Sequence, residues 1–393
     1  MKIFSYLIGL KQKLFSDIKH IPESLNKRYF PSLDGLRGLA IMSVIASHFG
    51  RNESWLTYVD GAIGVHIFFI LSGFLITTLL LKEKIVTGNI SLRNFYIRRF
   101  LRIIPVAYLY LLVLIVLNYL FGLNIPALSF LMSFSFFRNI PLTNDWYTGH
   151  FWTLASEEQF YIITPILLSL WPNKYIKLSI ILLVIVPLVD YTGFHNIGIF
   201  YTNRTIHVIT MTFIALTSRS ALYIITGSLF SILLFKGIIN IERFNKKYYL
   251  SFFLLIIAGI IHFPNHLINI PYVSAVIFAV LIGFVIVLNL SEDNMLTLIL
   301  KNPILNRIGI LSYSIYIWQQ IFTVYQPWKG SFKYSQNIFV NAAALFIVSY
   351  CSYNYFEKPF LKLKKHFTMD NNISSGSKIL TSSMQKETTP EIL

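Results

Sequence analysis

The sequence predicts an all-α integral membrane protein, a bundle of about ten transmembrane helices. Hydrophobic residues make up 55% of the 393 residues and charged residues only 13%, against about 25% charged residues in a typical soluble domain. The apolar residues also fall in runs close to the length of about 17–25 residues that a membrane-spanning helix needs. These runs lie at 36–50, 62–81, 103–122, 152–171, 177–194, 219–236, 248–263, 271–290, 309–326 and 338–356.

The basic residues predict which side of the membrane each connection occupies. Ten spans leave both termini on one side, and 27 of the 33 Lys and Arg residues fall on that side. Cytoplasmic loops carry such an excess, so we expect both termini in the cytoplasm. The net charge of +16 is therefore the signature of a cytoplasmic membrane face, and we expect membrane lipid and no nucleic acid among the partners.

Three segments follow from this topology. Residues 1–30 combine short apolar patches with Lys residues and predict a cytoplasmic, interfacial segment. Residues 31–367 form the transmembrane domain, in which 125–137 is too short to span and 123–151 and 195–218 are the largest loops on the far side. Residues 368–393 are rich in Ser, Thr, Lys and Glu and predict a disordered tail.

The first span carries two ionisable groups that ordinary membrane helices lack. Arg37 and His48 are eleven residues apart, so they share one helix face and lie about 16 Å apart along the axis. Asp34 precedes Arg37 by three residues and could hold it. Ionisable groups inside a bilayer are costly and indicate function. The alternative is an Arg that snorkels to the interface and a His that caps or packs at a helix end.

An arginine cluster stands at the cytoplasmic start of the third span. Arg98, Arg99 and Arg102 occupy about one helical turn. The planar guanidinium suits phosphate, so we predict a phosphate-binding function. The alternative is that these residues serve topology alone.

Two acidic residues open the fourth span on the far side. Glu157 and Glu158 precede a long apolar run, so at least one must face protein or water. Tyr161 is one turn after Glu157 and shares its face. A carboxylate here could orient an imidazole during acid–base chemistry. The alternative is an acidic helix start favoured by the helix dipole.

The second span begins with His66 near the predicted end of the first span, and Ser72 and Gly73 lie about two turns deeper. Its small residues predict close helix approach, and packing is the favoured role of Ser72. The lone Cys351 provides no disulfide, and no Cys/His spacing supports a metal site.

Together these motifs resemble the membrane acyltransferase 3 family of bacterial O-antigen and peptidoglycan O-acetylases and macrolide acylases, over about residues 30–360. The motifs are LDGLRGLAIMSVIASHF, GVHIFFILSGFLI, the Arg99-x-x-Arg102 pair, WTLASEEQFY with Trp152 and Glu157, LSYSIYIW at 311–318 and FEKPF at 356–360. This sequence departs from the family at His66, where an acidic residue is common, and at Gln319-Gln320, where many members have a histidine. In addition, we expect no hydrolase-type domain after the last span.

The resemblance implies a bacterial inner-membrane enzyme that moves an acyl group, usually acetyl, from cytoplasmic acyl-CoA to a hydroxyl of a cell-surface or lipid-linked glycan such as O-antigen or exopolysaccharide. It implies His48 as the base, Glu157 as a support for the outer site and Arg37 on the route between the two faces. Arg98, Arg99 and Arg102 would hold the CoA phosphates, and His66, Trp152 and Tyr161 are candidates on the acceptor side.

Two other interpretations remain open. Arg37, His48 and Glu157 could form the polar relay of a secondary transporter or flippase, although no internal repeat is visible in the sequence. Within the enzyme class, the acceptor could be a small lipophilic molecule such as a macrolide.

Overall fold

The computed structural model describes residues 2–27, 29–50, 60–195, 197–241, 248–262, 271–291 and 294–367. Within these ranges all regular elements are helical. The α-helices, numbered α1 to α16 in chain order, are Lys2–Phe15, Pro31–Gly50, Gly61–Thr87, Leu92–Phe121, Ala127–Phe134, Trp146–Gly149, Phe151–Leu170, Pro172–Phe194, Ile199–Thr202, Arg204–Phe235, Leu250–His262, Pro271–Leu288, Met295–Leu300, Pro303–Phe322, Ile338–Cys351 and Lys358–Lys364. A π-helical turn, Ser352–Glu357, joins α15 to α16.

Polar residues fix the ends of the helices that form the site. The Asp60 side chain caps α3 by accepting a hydrogen bond of 2.9 Å from the backbone N–H of Ala62, and Ser91 caps α4 in the same way. Asn302 caps α14, which then begins with Pro303. These caps satisfy backbone N–H groups that have no partner inside the helix.

Two closely packed helix pairs form the centre of the protein. α3 packs along α10, and α2 packs along α14, with α2 and α3 in contact. A side chain at Gly73 would collide with the backbone of Ile224, and one at Gly227 would collide with the backbone of Ile70. The predicted close helix approach at Gly73 is therefore confirmed, and α10 provides a matching glycine.

Four of the described helices are long and apolar enough to cross a membrane: Gly61–Thr87, Leu92–Phe121, Pro172–Gly193 and Ile338–Lys364. A fifth span is possible if the two halves of α10, which meet at 50°, count as one. These helices are those of a multi-pass membrane protein. α5, with eight residues, falls in the run 125–137 and reaches only about 12 Å.

The segment 195–218, which the sequence predicts to be a loop on the far side, is largely helical. It contains α9 and the first half of α10. Asn203 starts α10 by accepting a hydrogen bond of 3.1 Å from the backbone N–H of Ile206, and an apolar stretch then continues the helix into the predicted span. The Thr and Asn content that suggested a loop belongs in part to helix capping.

The structure describes most of the N-terminal segment, residues 1–30, but not the C-terminal tail. α1 lies against the end of α10, where Lys13 donates a hydrogen bond of 2.6 Å to the carbonyl oxygen of Gly237. The predicted disordered tail at 368–393 lies outside the described residues.

Candidate active site

A cavity of about 450 Å³ lies between α2, α3, α4, α7 and α14. That size is within the range of about 300–1,000 Å³ typical of small-molecule sites. Its wall is positively charged, because six basic side chains and three acidic ones line it. The basic residues are Lys27, Arg37, Lys82, Arg99, Arg102 and Lys364, and the acidic ones are Asp34, Glu157 and Glu158.

The start of α2 contributes the first pair of charged groups. Arg37 Nη1 lies 2.9 Å from Asp34 Oδ1, so the predicted pairing of these residues is confirmed. Both side chains line the cavity. The pair holds the guanidinium in place while leaving its other nitrogens able to donate.

Of the three clustered arginines, Arg98 holds helices together, and Arg99 and Arg102 line the cavity. Arg98 pairs with the buried Glu83 at 2.9 Å and donates to the carbonyl oxygen of Phe367 at 2.7 Å. It ties α4 to α3 and to the end of the described chain, and Arg99 and Arg102 line the cavity instead.

Arg99 and Arg102 differ in how they are held. Arg99 lies over the rings of Phe95 and Tyr161, at 5.6 and 5.2 Å from the ring centroids. Among the residues that the structure describes, Arg102 takes part in no hydrogen bond or ion pair. Both guanidinium groups therefore keep donors available for a ligand in the cavity.

The carboxylate of Glu157 is held by two hydroxyl groups inside this same cavity. Ser72 Oγ donates to Glu157 Oε1 at 2.7 Å, and Tyr161 Oη donates to Glu157 Oε2 at 3.3 Å. All three residues line the cavity. Glu157 thus lies in one chamber with Arg37, Arg99 and Arg102, and Ser72, for which packing was the favoured role, is part of the polar wall.

His48 lies in a second polar cluster, where α2 meets α6 and α14. Its Nδ1 is 2.5 Å from Gln319 Oε1, and its ring contacts Trp146 edge to face at 5.4 Å. Gln319 is one of the two glutamines at which the sequence departs from the family.

Residues at the end of the cavity connect it to the cluster around His48. Thr153 and Tyr316 line the cavity and share a hydrogen bond of 2.7 Å between their hydroxyl groups. Thr153 also donates to the carbonyl oxygen of His150 at 2.9 Å, and the His150 and Tyr316 rings are 5.7 Å apart. His150 directly follows α6, whose Trp146 contacts the ring of His48.

The remaining acceptor-side candidates lie outside the cavity wall. His66 stacks on Tyr223 with the ring centroids 3.9 Å apart and contacts the ring of His262 at 5.0 Å. His262 Nε2 is 3.4 Å from Asp60. Burial alone would raise the pKa of Asp60, but hydrogen bonds from His262 and the Ala62 backbone outweigh it and lower that pKa. Trp152 packs edge to face against Phe69, which lines the cavity.

Sequence reasoning missed several cavity residues. The sequence predicts only a topological role for Lys82 and Lys364, although Lys82 ends an apolar span one turn from the cavity-lining Thr78. Tyr316 lies in the LSYSIYIW motif without a distinguishing charge. The side chains of the described residues contain no group of three or more His, Cys, Asp or Glu that could hold a metal ion.

The fold and the site define a helical membrane protein with a basic cavity and, in a second polar cluster, the half-buried imidazole of His48. The family model described as acyltransferase domain matches residues 30–353, and the chain belongs to this family. It is 30% identical over 378 residues to the peptidoglycan O-acetyltransferase OatA of Listeria monocytogenes, covering 86% of this chain and 56% of that protein.

Two further relatives come from Staphylococcus aureus. A putative O-acetyltransferase of strain COL is 30% identical over 389 residues, covering 85% of this chain and 58% of the relative. The O-acetyltransferase OatA of strain NCTC 8325 is 33% identical over 181 residues, covering 42% and 29% of the two chains. The chain spans little more than half the length of the first two relatives. No solved structure matches it.

Proposed function

We propose that this chain is a membrane O-acetyltransferase that moves an acetyl group from acetyl-CoA to a hydroxyl of a cell-surface or lipid-linked glycan. The observation that carries the proposal is the basic cavity, whose wall residues Thr153 and Tyr316 contact His150. His150 directly follows α6, whose Trp146 contacts the ring of His48. Family membership and the names of the relatives support the same chemistry.

The basic residues of the cavity suit the phosphates of CoA. Arg99 and Arg102 have donors available, and Lys82 and Lys364 add positive charge on the same wall. Guanidinium groups bind phosphate through paired, charge-assisted hydrogen bonds. Arg98 is bound to Glu83, and of the three clustered arginines it is the one we assign to holding α4 in place.

The length of α3 inside the cavity suits the pantetheine arm of the donor. Lys82 and Ser72 both line the wall, and ten residues of helix span roughly 15 Å. The apolar side chains of Leu75, Ile76 and Leu79 line the wall between them. A donor whose phosphates bind near Lys82 can therefore extend its thioester inward, past Ser72 and Glu157.

His48 is the residue that we assign as the general base for the acceptor. A neutral imidazole accepts the proton of the acceptor hydroxyl as its oxygen attacks the thioester carbonyl. The ester bond forms, the carbon–sulfur bond breaks, and the CoA thiolate leaves. The thiolate then takes the proton from the imidazolium, so protons balance. Arg37 and the pair of Glu157 with Tyr161 line the route, and His66 and Trp152 are proposed to lie on the acceptor side.

The acceptor is proposed to be a glycan hydroxyl. The sequence suggested O-antigen or exopolysaccharide, and the Listeria relative is named for peptidoglycan. A lipid-linked saccharide and a small lipophilic acceptor such as a macrolide are further candidates. We also propose that the chain crosses the bacterial inner membrane about ten times with both termini in the cytoplasm, since basic residues concentrate on that side.

Membranes containing the protein and acetyl-CoA labelled in the acetyl group test this function. With peptidoglycan, O-antigen, exopolysaccharide and macrolide acceptors supplied in parallel, we expect a base-labile label on the hydroxyls of one glycan. Membranes that carry His48→Ala at equal abundance are the control and should transfer none. Proton-coupled solute uptake without transfer to any acceptor would contradict the proposal and favour a transporter.

A further inference from the structure

Three hydrogen bonds run in series from the backbone of Trp146 to His48, and the carbonyl of Trp146 determines which group donates in each. Gln320 Nε2 lies 2.6 Å from the backbone carbonyl oxygen of Trp146. Gln319 Nε2 lies 2.9 Å from Gln320 Oε1, and Gln319 Oε1 lies 2.5 Å from His48 Nδ1. The chain therefore runs from a backbone carbonyl to the imidazole through two glutamine side chains that are at most 4% exposed.

Only one assignment of donors satisfies all three contacts. A backbone carbonyl only accepts hydrogen bonds, so the group of Gln320 that faces Trp146 must be its NH2. The oxygen of Gln320 then faces Gln319 and accepts from the Gln319 NH2. The Gln319 oxygen is left facing His48, and the contact is a hydrogen bond only if Nδ1 carries a proton.

The carbonyl at the end of the chain is itself held in place. Trp146 Nε1 donates to the backbone carbonyl oxygen of Gln320 at 2.8 Å, which with the Gln320 side chain makes a reciprocal pair between α6 and α14. Reversing either glutamine amide would bring two oxygens together at hydrogen-bond distance. A buried polar group left unpaired costs about 1–3 kcal/mol, so the reversed arrangements are disfavoured.

We infer that Gln319 is a positioning residue that holds neutral His48 in the tautomer protonated at Nδ1, leaving the lone pair of Nε2 as the base. This inference rests on the proposed function for its catalytic meaning but not for its geometry. An aspartate performs the same task for the histidine of serine proteases, where losing the correct tautomer lowers kcat by about 10⁴-fold. A neutral glutamine orients the ring without placing a full negative charge beside it.

Other charged groups near His48 are shared by the native protein and its variants. His150 lies on the α6–α7 side, and Arg138 and Asp145, which pair at 3.0 Å, lie beside it. Arg51 and Glu53 follow α2 in sequence, outside the described residues. Because the native protein and the Gln319 variants all keep these groups, a difference between them in the tautomer of His48 or in the pH–rate profile is due to residue 319.

The direct test is the ¹⁵N spectrum of the full chain in lipid vesicles, with its nine histidines labelled and His48 assigned by loss of its signals in His48→Asn. Without any substrate, native His48 should be protonated at Nδ1, and Gln319→Leu should lose this preference. A native His48 protonated at Nε2, or a tautomer unchanged in Gln319→Leu, would overturn the inference. Because no acyl donor is present, this result is independent of whether the proposed function is correct.

The kinetic test separates positioning from folding. Gln319→Leu should lower kcat roughly 10- to 100-fold while leaving KM for acetyl-CoA unchanged. Gln319→Glu should move the acidic limb of the pH–rate profile upward by about one unit or more, because a carboxylate stabilises the protonated imidazole. The matched control is Gln326→Glu, since Gln326 is another buried glutamine following α14 but bonds to the backbone of Phe322 and Thr323. A limb that stays in place in Gln319→Glu, or that moves equally in Gln326→Glu, would refute the role.

Discussion

Replacing Arg102 by methionine should weaken binding of the acyl donor without affecting the chemical step. Arg102 lines the cavity, so its guanidinium is available for a CoA phosphate at no cost in existing hydrogen bonds. A hydrogen bond to a charged group contributes about 1.5–3 kcal/mol, and a tenfold change corresponds to about 1.4 kcal/mol. We therefore expect Arg102→Met to raise KM for acetyl-CoA roughly 10- to 100-fold, with kcat and the acceptor KM little changed.

The matched control for this variant is Arg98→Met, one helical turn away. Arg98 is the partner of Glu83, which is 2% exposed. Removing one partner of a buried ion pair costs about 3–5 kcal/mol, so Arg98→Met should lower thermal stability while the folded fraction keeps its KM. The assay measures initial rates of transfer from labelled acetyl-CoA at varied donor and acceptor concentrations, together with the melting temperature. An equal rise in KM for both variants would show that the two arginines do not differ as described.

Three further predictions concern the base, the helix packing and the connection between α5 and α6. His48→Ala should abolish transfer while leaving expression in membranes intact, and the melting temperature should fall modestly because the buried Gln319 oxygen loses its partner. Gly227→Val should lower the melting temperature sharply, because its side chain would collide with the backbone of Ile70, whereas Gly259→Val, with open space around it, should not. Asp145→Asn should cost about 3–5 kcal/mol by breaking the buried pair with Arg138. Hydrogen bonds and Arg138 lower the pKa of Asp145 despite its burial, so this stabilisation should be lost only as the pH falls through that lowered pKa.

The sequence is most informative where charge and apolar pattern meet on one helix. The spacing of Asp34, Arg37 and His48 predicts a helix with a charged start, and α2 has that form, with the ion pair in place. Helical periodicity is a local property, so it can be read without knowledge of the partners. Apolar runs predict helices for the same reason. The predicted span began only at residue 219, however, whereas α10 already begins at Arg204.

Partners across helices are not visible in the sequence. Arg98 and Arg102 are of the same residue type and one turn apart, and only the position of Glu83 on α3 separates the structural residue from the cavity residue. Likewise the sequence marks Gln319 only as a departure from the family. Its function depends on Trp146, which is 173 positions away in the chain and reaches it through Gln320.

The sidedness of acetyl transfer tests most directly the proposed path from the basic cavity to His48. Sealed vesicles of known orientation would carry the protein, with labelled acetyl-CoA on the cytoplasmic side only and the acceptor glycan on the opposite side only. We predict that label appears on the glycan in the native protein, at a rate reduced in Arg102→Met at low donor concentration and absent in His48→Ala. Transfer only when donor and acceptor share one side would contradict a path from the basic cavity to His48.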